Sequence, residues 1–220
     1  MLTLRLAVAA ALLLLCSACS PSLTVTADDA NGATLAFQAS FSAATEKTLR
    51  ALASSISGSS SEGSIPVIAA QDVDAVLRES GFTDISAKNA SATSISASAR
   101  YPVLTEGALA HTGILTRTAQ SLTLTVGAQQ IYALYALCSE ESRLYFDLLM
   151  LPAIEGGQLT VKEYNEQLAA LYGKSFADEI TGGTLTITLV APSGKKRTTA
   201  KVTLGELLTL TAAKSWTVAW

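Results

Sequence analysis

Short runs in which an apolar residue alternates with threonine or serine recur along the chain. Side chains of a β-strand point alternately to the two faces of its sheet, so each run has one apolar and one polar face. Such runs begin at Leu23, Leu35, Thr93, Leu122, Leu185, Ala200 and Trp216. We expect a sheet made from these strands to place one face on a core and the other against water or a partner.

Turn signals join neighbouring runs into hairpins. Asn31-Gly32 lies between the first two runs, and both residues tolerate a positive φ, which predicts a β-hairpin from Leu23 to Phe41. The segment Pro192 to Gly194 predicts the turn of a second hairpin. Asp28, Asp29 and Asn31, next to Gly32, faintly resemble a calcium loop, but the alternate ligand spacing and the closing glutamate are absent. A turn is therefore the favoured interpretation.

Helical spacing of apolar residues appears between the strand runs. It predicts one helix behind Ser42 as its N-cap, and a second helix over Ala70 to Ser80 that ends at Gly81. Thr160 and Glu163 form a Thr-x-x-Glu capping box, which predicts a helix that ends at Gly173.

The most apolar internal stretch, residues 128–152, is open to two interpretations. Its spacing fits a helix that includes Ile131 and Cys138, followed after Ser139 by another that ends at Pro152. A pair of strands broken at the sequence "CSEES" is the competing interpretation.

Together these elements predict an α+β fold. We expect one globular domain over residues 23–220, with a single antiparallel β-sheet and helices packed on one of its faces. A serine-rich loop is expected within this domain at residues 57–64.

The first residues have the order of a cleavable export signal. Arg5 precedes an apolar run from Leu6 to Leu15, and the small residues Ser17 and Ala18 follow. An apolar run of this length is too short to span a bilayer, which needs about 20 residues as a helix. Residues 1–18 are therefore predicted to be a signal peptide.

The end of this signal carries a family resemblance. Cys16, Ser17, Ala18 and Cys19 resemble the lipobox of bacterial lipoproteins, in the relaxed, spirochaete-like form that lacks leucine three places before the modified cysteine. The resemblance implies that Cys19 is lipidated and that residues 19–22 form a tether. It also implies attachment through acyl groups to the cell membrane or outer membrane, with the domain in the periplasm or at the cell surface. A disulfide between Cys16 and Cys19, or ordinary cleavage after Ala18, is the alternative.

Reactive side chains are scarce in this sequence. His111 is the only histidine, and Cys138 is the only thiol beyond the two in the signal region. Because a zinc site or a Ser/His/Asp relay would lack its partners, we expect no catalytic, metal-binding or cofactor-binding residues. We expect His111 in a loop or partly buried, with a structural hydrogen bond. A formal net charge of −3 argues against nucleic acid as a partner.

These features together predict a lipid-anchored cell-envelope lipoprotein without catalytic activity. It would act as a structural or interaction module through the polar face of its sheet, with an envelope protein or lipid as partner. A carrier for a lipid or another apolar ligand is the alternative, and a hydrolase that uses His111 is a third hypothesis. The basic cluster Gly194 to Arg197 is a candidate contact for anionic lipid head groups.

Overall fold

The computed structural model describes residues 21–57, 68–137 and 159–220, which form strands and helices of an α+β fold. The strands are β1 (Ser22–Ala27), β2 (Ala33–Ser40), β3 (Thr83–Ser91), β4 (Ser94–Tyr101), β5 (Leu115–Arg117), β6 (Ser121–Val126), β7 (Thr184–Val190), β8 (Arg197–Thr203) and β9 (Lys214–Ala219). The helices are α1 (Ala43–Ser57), α2 (Ala70–Glu79), α3 (Gly107–Thr112), α4 (Ala128–Leu137), α5 (Val161–Tyr172), α6 (Lys174–Gly182) and α7 (Leu204–Leu208).

The described strands form two sheets. A six-stranded sheet has the order β3-β4-β2-β1-β7-β8, and a three-stranded sheet has the order β5-β6-β9. β1 and β7 run parallel, with Leu23 beside Ile187, whereas the other pairs are antiparallel. The prediction of an α+β fold is confirmed, but the prediction of a single antiparallel sheet is wrong. Alternation along a strand reveals which face is buried, and it does not reveal the neighbouring strand or its direction.

Both hydrophobic clusters of the core lie on the same face of the six-stranded sheet. The first cluster joins β2 and β4 to the helices and contains Ile95 of β4 and Phe176 of α6. The second cluster lies between the two sheets and contains Ile187 of β7 and Leu122 of β6. The helices therefore cover one part of this face, and the small sheet covers the other part.

The predicted local signals for helices are confirmed in the described residues. The hydroxyl of Ser42 accepts a hydrogen bond from the backbone N–H of Thr45 at 3.2 Å, as an N-cap does. Gly81 follows α2 with a φ of +86°. The capping box at the start of α5 is formed in both directions. Residues Ala128–Leu137 are helical, so the competing strand interpretation is wrong for them.

Two predicted positions differ in the structure. The alternating run that begins at Ala200 extends the predicted strand to Leu204, but Leu204 lies at the start of α7, because Thr203 and Glu206 form a second capping box. His111 lies on α3 and is exposed, and it is neither in a loop nor partly buried.

Several predictions from sequence fall on residues outside the described ranges. These are the signal peptide, Cys19, residues 58–64 of the serine-rich loop, Cys138 and the second half of the apolar stretch. The folded structure already includes part of the predicted tether, because Pro21 is buried and Ser22 begins β1. In the described part of the chain, no helix has both the length and the apolar character needed to cross a membrane.

Candidate functional site

The outward side of the six-stranded sheet is a surface of short polar side chains, which we call the polar face. It is organised in three rows that each cross all six strands. In strand order from β3 to β8, the first row is Lys88, Ser96, Gln38, Ser22, Thr186 and Lys201. The second row is Ser86, Ser98, Ala36, Thr24, Thr188 and Thr199. The third row is Thr83, Arg100, Thr34, Thr26, Val190 and Arg197.

The centre of the polar face has unused hydrogen-bonding capacity. None of the residues in the three rows is buried. The side chains at the centre make no hydrogen bond to any other described residue. These central residues are Ser22, Thr24, Gln38, Ser96 and Ser98. Hydroxyl and amide groups in this state are available to a polar ligand.

The charge of the polar face is positive. Lys88 stands on the edge strand β3, and Lys201 and Arg197 stand on the opposite edge strand β8. None of the three has a carboxylate partner in the described ranges. Within the six strands the only acidic residue is Asp84, at a break in the β3–β4 register. This face therefore has the opposite sign to the chain as a whole, whose net charge is −3.

A shallow depression of about 390 Å³ lies on the polar face across β1, β2, β4 and β3. Its lining includes Lys88, Gln38, Ser22 and Ser98. The depression therefore coincides with the first two rows, at the end that carries the β3 lysine.

The three-stranded sheet has a similar alternation of apolar and hydroxyl residues, but its outward hydroxyls have hydrogen-bond partners. Its outward hydroxyls pair with each other across the strands, Thr123 with Thr217 at 2.8 Å and Thr125 with Ser215 at 2.9 Å. The hydroxyls of the small sheet therefore satisfy one another, whereas those at the centre of the polar face do not.

A cluster of charged groups, the Asp28 corner, lies where the first hairpin meets the small sheet. We define it as Asp28, Gly32, Arg100 and Arg117. The Asp28 carboxylate accepts hydrogen bonds from the backbone N–H of Ala30 at 2.8 Å and of Gly32 at 2.7 Å. It also accepts two from Arg100, at 3.0 and 2.7 Å. Burial acts to raise the pKa of Asp28, but these hydrogen bonds outweigh it and leave the pKa below its ordinary value of 3.8.

Arg117 ties this corner to the small sheet. Its side chain is only 8% exposed. The guanidinium donates to the carbonyl oxygens of Gly32 at 2.6 Å and of Asp28 at 2.5 Å, and it lies 5.6 Å from the ring centre of Trp220. The acidic turn that faintly resembled a calcium loop therefore has a structural explanation, since its principal carboxylate is held by arginine and backbone N–H groups.

On the helical side of the fold, an open groove of about 620 Å³ lies between α1 and the junction of α5 with α6. Leu52, Leu171 and Phe176 contribute apolar walls, and Lys47 and Lys174 also line the groove. Leu171 is 71% exposed and adds accessible apolar surface to the groove.

The candidate residues named from sequence are not brought together. The side chain of His111 makes no hydrogen bond with the described residues. The basic cluster Gly194 to Arg197 lies at the β7–β8 hairpin, as predicted, with Gly194 at a φ of +71°. In the ranges described, no three His, Cys, Asp or Glu side chains are placed to hold a metal ion. Cys19, the predicted lipidation site, lies outside these ranges.

Sequence reasoning identified polar faces strand by strand but missed the residues that frame the combined surface. Lys88 was missed because β3 was not recognised as a strand. Lys201 alternates with apolar residues and could have been placed on an outward face. No sequence signal links it to Lys88, because the two residues are 113 positions apart and share a row only through four intervening strands.

Comparisons with known proteins give no further guide, because no protein-family model, curated protein or solved structure matches this chain.

Proposed function

We propose that this protein is a lipid-anchored, non-catalytic interaction module of the bacterial cell envelope that binds its partner through the polar face. The observation that carries the proposal is the state of the central side chains, which are accessible and make no hydrogen bond to other described residues. Sheets commonly leave one polar face in water, and this face differs by having cations without carboxylate partners at both of its edges in the described ranges.

The position of the fold relative to Cys19 supports the anchoring part of the proposal. Pro21 is buried, and its carbonyl oxygen accepts a hydrogen bond from the N–H of Thr186 at 2.9 Å. Only Ser20 separates this residue from Cys19, a distance of about 7 Å at full extension. Acylation of Cys19 would therefore hold the sheet directly at the lipid surface, with the first row of the polar face nearest to it.

Mass spectrometry of protein purified from its native membranes tests the anchor. The expected N-terminal peptide begins at Cys19 and carries the added mass of acyl chains, because two or more chains are needed for stable attachment. An N-terminal peptide that begins at Cys19 without this mass would refute the anchor and leave the binding role of the polar face to be tested separately.

Photo-crosslinking in intact cells tests the role of the face. A photoreactive residue at Gln38, in the centre of the first row, is expected to yield a defined higher-mass product. The control places the same residue at Glu166 on α5, whose side chain is 64% exposed on the helical side. Equal crosslinking from the two positions, or none from Gln38, would contradict the proposal.

A carrier for an anionic lipid is the second candidate function. The observation that favours it is the groove beside Leu171, whose apolar walls suit an acyl chain. Of its two lysines, Lys174 pairs with Asp178, and Lys47 has no carboxylate partner in the described ranges and suits a charged head group. Native mass spectrometry of purified protein is expected to detect bound lipid in this case. Protein free of lipid, and unaffected by a Leu171→Asp substitution, would exclude the carrier.

A further inference from the structure

We propose that the polar face binds an anionic polysaccharide, that is, a glycan chain that bears carboxylate or phosphate groups. The proposal rests on the proposed role of this face as a binding surface and specifies its ligand.

The charges of the polar face are complementary to those of an anionic polymer. Lys88, Lys201 and Arg197 stand at the two edges of the face, and no carboxylate neutralises them in the described ranges. Arg100 lies between these edges, and Asp28 neutralises it. Unpaired cations on both edges of a neutral centre favour a ligand with several negative charges along its length over one with a single charged end.

The centre of the polar face offers the hydrogen-bonding groups that glycan hydroxyls require. Between Lys88 and Lys201, the first row contains only serine, threonine and glutamine side chains, and the second row continues with further hydroxyls. Neighbouring strands lie about 4.8 Å apart, so polar groups repeat across the sheet at an interval comparable to the length of one sugar ring. Each group can donate to or accept from a glycan hydroxyl.

The polar face lacks the aromatic and apolar groups on which other classes of ligand depend. Its three rows contain no aromatic residue, and Ala36 and Val190 are their only apolar side chains. Proteins that bind single-stranded nucleic acid stack its bases on aromatic side chains. Protein partners are usually held by aromatic or apolar side chains at the centre of the interface. Acyl chains also need apolar contact. A hydrophilic polymer with negative charges satisfies the groups that are present without requiring those that are absent.

The dimensions also fit a chain-like ligand. Five strand intervals separate β3 from β8, which gives a span of about 24 Å between the two cationic edges. The depression of about 390 Å³ lies along the β3 side of this span and is lined by Lys88 and central polar residues. A glycan that crosses the strands there reaches Lys88 at one end and continues toward Lys201.

Binding of immobilised polymers to the purified protein tests the proposal. The probes are polygalacturonate, phosphorylated dextran, neutral dextran, poly(U) RNA, and vesicles that contain phosphatidylglycerol. We expect both charged glycans to bind, neutral dextran not to bind, and the affinity to fall as salt is raised. The double variant Lys88→Gln with Lys201→Gln is expected to bind about tenfold more weakly, since each lysine makes a charge-assisted hydrogen bond.

The matched control is the double variant Arg78→Gln with Lys162→Gln, which removes the same charge from helices on the other side of the sheet. It is expected to bind as the unmodified protein does. Thermal melting of both variants checks that neither is unfolded.

Three results would overturn the ligand assignment. These are equal binding of neutral dextran, full binding by the Lys88/Lys201 variant, or tighter binding of poly(U) or vesicles than of either charged glycan. If glycans fail to bind while Gln38 still crosslinks in cells, the polar face is an interaction surface with a different ligand. Failure of both experiments would remove the proposed function as well.

Discussion

The Asp28 corner and the polar face use similar polar residues in opposite ways. At the corner, one carboxylate, two guanidinium groups and the backbone of a hairpin bind one another, and Arg117 is almost completely buried. On the polar face, lysines and hydroxyls of the same chain are accessible and largely without partners. Polar groups that satisfy each other internally hold a fold together, whereas accessible groups without partners are available to something outside it. The Nε of Arg117 is an exception at the corner, because it is buried and has no hydrogen-bond partner among the described residues.

The largest effect expected from this comparison follows the loss of Arg117. Arg117→Met would leave the carbonyl oxygen of Asp28 without the guanidinium that donates to it, and would leave that of Gly32 with the N–H of Asp28 as its donor. We expect the free energy of unfolding to fall by about 3 kcal/mol. Urea unfolding at pH 7 measures the change.

Arg78→Met is the control for that variant. Arg78 forms an ion pair with Asp74 on the surface of α2, and its side chain is 67% exposed. Exposed pairs of this kind contribute about 0.5 kcal/mol or less. Equal losses from the two substitutions would refute the special role of the corner.

A smaller loss is expected from Gly32→Ala. A Cβ atom at this position would lie 2.5 Å from the carbonyl oxygens of both Tyr101 and Pro102, so the backbone of the corner would have to move. We expect a loss of about 2 kcal/mol in the free energy of unfolding. Gly182→Ala is the control, because a Cβ atom there has nothing within 4 Å and alanine favours a helix. A tolerated Gly32→Ala would mean that the corner is less rigid than its contacts indicate.

The contribution of the Asp28 corner to the free energy of unfolding depends on pH through the Asp28 carboxylate. Its pKa is lowered in the folded protein, because the hydrogen bonds of the corner outweigh the effect of burial. Its contribution to stability is therefore complete above the unfolded pKa of about 3.8 and is lost as the pH falls through the lower folded value.

Asp28→Asn is accordingly expected to cost about 1.5 kcal/mol in the free energy of unfolding at pH 7, less than a fully buried pair because Arg100 and Asp28 are both partly exposed. Below pH 4 the difference between the two proteins should shrink. Urea unfolding from pH 7 to pH 2.5 tests this. The pKa values of Glu163, Asp178 and Glu206 are also lowered, but both proteins contain these groups, so their contributions cancel in the difference between the two free energies of unfolding. A difference that stays constant with pH would exclude the carboxylate as its source.

The parts of the fold that sequence predicted are those in which a local pattern determines the structure. β1, β2 and β4 alternate because each lies half-buried in a sheet, and the helix after Thr160 begins with a capping box that needs no distant residue. β3 was missed because its inward positions are not all apolar. Asn89 lies among them, and its amide donates to the carbonyl oxygens of Ile68 at 2.8 Å and Ser94 at 2.9 Å. Hydrogen bonds to other parts of the chain allow a polar residue at this inward position. The alternation of residues along the strand does not reveal those partners.

The polar side of each strand in the candidate site is predictable from the alternation in its own sequence. The position of Lys88 and Lys201 at the two ends of one row is not, because it depends on the order of the strands. That order includes a parallel pair that the sequence did not indicate. Arg117 was also missed, because its partners on the first hairpin are 85 and 89 positions away.

The smallest effect is expected on the polar face itself. Thr24→Val replaces a hydroxyl that has no hydrogen-bond partner among the described residues with a methyl group of the same shape, in a strand that suits β-branched side chains. The free energy of unfolding should change by less than about 0.5 kcal/mol. Thr123→Val on the small sheet is the matched control, and its loss should be larger because it breaks the 2.8 Å hydrogen bond to Thr217. If Thr24→Val instead destabilised the protein as Gly32→Ala is expected to, the polar face would be part of the structural framework, and its hydroxyls would not be free to bind a partner.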